Sequence, residues 1–127
     1  MDAIYEVVST KSFAEAVDAV IEKTKANGFR VLHVHDVQAT LAEKDFKREP
    51  LKIVEVCNAK YAHTALQIAV TVSLLMPCRI NVYETEGRTV ISTVKPRSLA
   101  GMFDKPELQS FAEEVEDILL RIIDESK

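Results

Sequence analysis

The chain has 127 residues, with 16 Lys and Arg against 20 Asp and Glu for a formal net charge of −4, and 47% of it is hydrophobic. That balance excludes proteins that bind by neutralising the phosphates of nucleic acids or of an anionic membrane surface, and an apolar content this high with only three Gly and four Pro excludes a largely disordered chain. The length suits one domain over residues 1–127, no apolar run is long enough to span a bilayer, and two cysteines behind a start without leader character fit a reducing cytoplasm with free thiols.

Ile4 to Ser9 is rich in β-branched and aromatic residues and reads as a strand. Ser12 with Glu15 three positions on forms a capping box, each side chain satisfying a backbone N–H of the first helical turn. Phe13, Ala16, Val17, Val20 and Ile21 then share a helical face until Asn27-Gly28 stops the helix. Phe29 to His35 is a second strand, and a period of two puts Phe29, Val31, His33 and His35 on one side, with Leu32 and Val34 on the other. Asp36 caps a short helix, VQATLAEK, and KDFKREP follows as a solvated loop.

Lys52 to Cys57 alternates as a third strand, Val54 and Val56 on one side and Glu55 and Cys57 on the other. Ala59 to Gln67 has helical character through Ala62, Leu66 and Ala69, and the β-branched run Val70-Thr71-Val72 blurs its far end. Pro77 holds Met76 extended, and the bond between them is expected trans. Cys78 to Glu84 and Arg88 to Val94 make a hairpin around Glu86-Gly87. KPRSLAGMF reads as an irregular crossing. The last helix opens with a second capping-box spacing, Asp104 and Glu107. Its apolar stripe is Leu108, Phe111, Ala112, Val115, Leu119 and Ile122, and Glu113, Glu114, Glu116 and Asp117 lie opposite. This order of elements favours a two-layer α+β domain over a doubly wound sheet.

The chemically distinctive residues gather between positions 52 and 83. Cys57 sits where a strand gives way to a helix, so the positive end of that helix would lower its thiol pKa and make it a nucleophile; a buried, inert filler is the plainer reading. Asn58 orients that site or simply caps the helix. His63, in the first turns, would pair with Cys57 if both turn inward. Cys78 shares a strand face with Ile80 and Val82, whereas Arg79, Asn81 and Tyr83 share the other face. Arg79 suits a small anion or carboxylate, or pairs with a surface acid such as Glu55. His33 and His35 with the cysteines lack the compact spacing of a metal site, and no metal or cofactor is expected.

Nearly the whole chain resembles the bacterial and archaeal family catalogued as domain of unknown function 302. The matching segments are GFRVLHVHDVQATLAEK, IVEVCNAKYAHTAL, LLMPCRINVYETEG and TVISTVKP, in that order and separation. Where the family pattern has Asn-Pro after the first cysteine this chain has Asn58-Ala59, no Asp-Pro lies between His63 and Pro77, and Met76 stands before Pro77. The resemblance implies a curved, mainly antiparallel sheet packed against helices, like half of a TATA-binding-protein fold, and a homodimer. It implies no activity.

Two functions are expected in competition. One is a cytoplasmic, homodimeric accessory protein that binds a small molecule near Cys57, Asn58, His63 and Arg79. The other is a thiol-dependent enzyme or redox protein in which Cys57 acts with His63 as base or with Cys78 as resolving thiol.

Overall fold

The computed structural model describes residues 2–127. Five strands, β1 (Ile4–Ser9), β2 (Arg30–Asp36), β3 (Leu51–Cys57), β4 (Cys78–Thr85) and β5 (Arg88–Val94), form one open sheet in the order β1-β5-β4-β3-β2. Every neighbouring pair is antiparallel. The fold is α+β, as the order of elements implied.

The helices α1 (Phe13–Ala26), α2 (Val37–Ala42), α3 (Ala59–Ile68), α4 (Pro96–Ala100) and α5 (Glu107–Ser126) are joined by a 3-10 helix at Val70–Leu75. Strands β1 and β2 lie at opposite edges of the sheet, so α1 must cross beneath it to join them. It starts where the sequence says it should, with Ser12 Oγ accepting from Glu15 N at 3.2 Å and the Glu15 carboxylate accepting from Ser12 N at 3.1 Å. Ala16, Val17 and Val20 of α1 and Val115, Leu119, Ile122 and Ile123 of α5 pack on Val54, Val56, Ile80, Val82 and Ile91. Each large aliphatic side chain sealed there contributes about 1.5–3 kcal/mol. These helices cover one face of the sheet, and Ile4, Val8 and Val94 remain exposed on the other.

The hairpin turn forms as read, because Glu86 and Gly87 both take positive φ, 51° and 76°, the geometry that matches the twist of paired strands. Elsewhere the chain departs from its sequence pattern for local reasons. The alternation of β2 breaks at Leu32, where the pairing slips between Val31 and His33. One extra residue there puts Val31 and Val34 together on the core, and the two histidines on the other face. Ala65 is the buried residue of α3, and Leu66 is exposed. The run after Ala69 is the separate 3-10 helix, the Met76–Pro77 bond is cis, and the expected irregular crossing contains α4.

The second capping box does not form. Helix α5 begins at Glu107, so that residue is its first position and not its third, and Pro106 precedes it without a side-chain cap. Glu116, expected on the solvent face, is only 4% exposed. It is buried because Arg97 satisfies it from α4 through the backbone N–H at 3.1 Å and Nη2 at 3.0 Å.

Candidate functional site

The ends of β3 and β4 open onto a cavity of about 400 Å³, within the range of ~300–1,000 Å³ that small-molecule sites occupy. Its floor is the strand end itself, Val56 and Cys57 of β3 with Cys78, Arg79 and Asn81 of β4. Ser92, Thr93 and Val94 of β5 and Ile4 of β1 extend it across the sheet. Tyr61, Ala62 and Ala65 of α3 form one wall, Leu74 to Pro77 a second, and Leu99, Ala100 and Phe103 with Leu108 and Phe111 the third. The lining is mostly hydrocarbon, interrupted by a few polar groups at the sheet.

Both cysteines line this cavity as free thiols. Cys78 follows the inward face, opposite Val56, and burial with the neighbouring Cys57 pushes its thiol up to about 11. Burial also pushes the Cys57 thiol up, and the hydrogen bond from the Asn58 backbone offsets only part of it. The sequence suggested the opposite shift. Loss of hydration outweighs the short α3 terminus here, because a thiolate would stand against apolar side chains.

Asn58 caps α3, its Oδ1 accepting from Tyr61 N at 3.1 Å while its Nδ2 donates to the Gly28 carbonyl at 2.9 Å. Both ends of the amide are therefore spent on holding the strand-to-helix bend in place. His63 is exposed on α3 and is not among the lining residues. The structure thus brings Cys57, Asn58, Cys78 and Arg79 together and leaves His63 outside.

Arg79 stands directly across from Glu55 in the register of β3 and β4, yet Glu55 is held by another group. His35 Nε2 lies 2.8 Å from Glu55 Oε2, and His33 stacks edge-on against His35 at 4.3 Å. The His35 hydrogen bond, aided by the charges of His35, Arg79 and His33, keeps the Glu55 carboxyl below the ordinary range. Among the described residues Arg79 makes no ion pair. The same is true of metal sites: no group of three or more His, Cys, Asp or Glu side chains there is placed to hold an ion. No helix of the described residues is long and apolar enough to cross a membrane.

Residue patterns gave no warning of the third wall. The apolar segment around Phe103 and the residues of α4 reach the cavity only through the chain reversal after β5. Asn81 and Ser92, by contrast, were legible in principle from strand alternation, since both fall on the face that carries Arg79.

The family model described as domain of unknown function DUF302 matches residues 5–126. A solved structure, described as an uncharacterized conserved protein DUF302 from Bacillus stearothermophilus, is similar to this chain at 31% identity. The similarity covers 100% of both chains with a TM-score of 0.95. No curated protein matches the chain.

Proposed function

The chain belongs to the DUF302 family, and from that premise we propose that it is a small-molecule-binding protein whose ligand occupies the cavity at the ends of β3 and β4. The observation that carries this reading is a 400 Å³ space walled by hydrocarbon and floored by a few polar groups, the composition that ordinarily marks a ligand site. Cys57, Asn58, Cys78 and Arg79 all line it. Two thiols held protonated by burial suit packing against a ligand better than nucleophilic attack, because the thiolate is the reactive form. The thiol-enzyme alternative therefore has less support than binding.

The reading includes a cytoplasmic, single-domain homodimer. Val8, exposed on the helix-free face beside Ile4 and Val94 of the cavity lining, is apolar area that a second copy would cover next to the cavity, and size-exclusion chromatography with light scattering at two concentrations would measure the dimer. A thermal-shift screen of acidic, neutral and basic metabolites tests the binding itself. At least one compound should raise the melting temperature in proportion to its concentration, and the shift should vanish in Ala62→Phe, which fills the cavity; Ser92→Leu serves if that variant is unstable. No stabilising compound, or stabilisation that survives both substitutions, would remove the proposal.

A further inference from the structure

We infer that the cavity selects an amphipathic monoanion, an apolar body carrying one carboxylate, and that Arg79 is the group that receives the head. This deepens the binding reading above and rests on it. A guanidinium is a planar fork of five donors that matches a carboxylate in two parallel hydrogen bonds. In this sheet the fork of Arg79 makes no ion pair among the described residues; the acid opposite it, Glu55, is hydrogen-bonded through one oxygen to His35 at 2.8 Å and meets Arg79 only through its charge. The other cross-strand neighbour of Arg79 is Val94, since β4 and β5 align Asn81 with Ser92, and it offers no acceptor.

The polar surroundings continue the same pattern. Asn81 lies two residues along β4 and therefore on the Arg79 face, and Ser92 stands directly opposite it on β5. Both line the cavity, and neither side chain makes a hydrogen bond within the described residues. Asn81 and Ser92 add an amide and a hydroxyl donor on the sheet face of the guanidinium, in a space whose lining includes Leu74, Met76 and Phe103; the acid across from Ser92 on β1, Glu6, does not line it and accepts from the Tyr83 hydroxyl at 2.8 Å. Leu74 is 81% exposed, hydrocarbon at the cavity rim that an apolar tail would cover. A cationic head would meet Arg79 with like charge, and a neutral head would leave its fork unpaired. Charge and hydrocarbon together specify the ligand.

Three probes of equal tail length, decanoate, decanol and decylammonium, distinguish the heads by isothermal titration calorimetry on the intact protein. Decanoate should bind at least about tenfold more tightly than decanol, equal to ~1.4 kcal/mol, and decylammonium most weakly. Arg79→Gln should abolish that preference, bringing decanoate down to the affinity of decanol, and Arg79→Lys should restore part of it. Equal binding of decanoate and decanol by the native protein would overturn the anion assignment and leave the cavity reading standing. A preference for decanoate that persists in Arg79→Gln would overturn the role given to Arg79. Absence of binding by all three probes would overturn the ligand class, and the metabolite screen with Ala62→Phe decides the cavity reading independently.

Discussion

Removing the carboxylate of Glu116 should loosen α4, which carries Leu99 and Ala100 of the third wall, from α5. Helix α4 has no side-chain cap of its own at Lys95, and Glu116 supplies one from another helix, accepting Arg97 N at 3.1 Å and Arg97 Nη2 at 3.0 Å. A hydrogen bond to a charged group contributes roughly 1.5–3 kcal/mol. The Arg97 side chain is 47% exposed and that of Glu116 only 6%, so water screens the guanidinium bond, while the backbone bond keeps more of its value. Together they suggest a loss of about 2–3 kcal/mol for Glu116→Ala, below the ~3–5 kcal/mol of a fully buried broken pair. For a domain of this size that corresponds to a fall of roughly 8–12 °C in melting temperature. Glu116→Gln retains an acceptor for the backbone N–H and should lose about half as much. Denaturant unfolding of both variants with Arg97→Ala and the double mutant gives the coupling energy directly. A loss within ~0.5 kcal/mol for Glu116→Ala, the range of an ordinary surface change, would refute this account of how α4 is held.

The remaining predictions concern the titrating groups. Alkylation of Cys57 should titrate with a midpoint above the free-thiol value of about 8.5, and that of Cys78 should come later still, since its thiol is pushed up to about 11; mass-resolved alkylation against pH separates them, and a midpoint below ~8 for Cys57 would revive the nucleophile. Because folding favours the neutral Cys78 thiol, its contribution to stability is complete below the unfolded pKa and is lost as pH rises through the folded one, so Cys78→Ala should flatten the alkaline fall in melting temperature. Glu55 works in the other sense. Its carboxyl is lowered in the fold by His35 first, so its contribution is present above the unfolded carboxyl pKa and is lost as pH falls through the folded value. Acid titration of Glu55→Gln should therefore show a shallower low-pH limb than the native protein, and an unchanged limb would contradict the His35 bond.

Local chemistry was legible in the sequence where a short motif carries its whole geometry. The Ser12 capping box, the Glu86-Gly87 turn and the alternation of Cys78, Arg79, Ile80 and Asn81 need only a few neighbouring residues, and each forms as read. Features set by distant segments were hidden. Glu116 looked like one acid among several on a solvated helical face, and only the approach of α4 makes it a buried cap. The slip at Leu32 follows from how β2 pairs with β3, so strict alternation misplaced Val31 relative to His33. The cavity shows the same division: its strand floor was readable, whereas the walls formed by α4 and the segment around Phe103 depend on the tertiary course of the chain. The direction of the Cys57 shift was missed for a related reason. The helix terminus is visible in sequence, and the hydrocarbon that outweighs it is not.

Methyl-resolved NMR of the protein titrated with decanoate and with decanol tests most directly whether the strand-end cavity is a small-molecule site. Either tail should shift the methyl signals of Leu74, Leu75, Val94 and Leu99, which line the space, and leave unmoved those of Val17 and Val20, which do not. Saturable shifts confined to methyls outside the lining would contradict the cavity reading, and no saturable shift with either probe would overturn the ligand class.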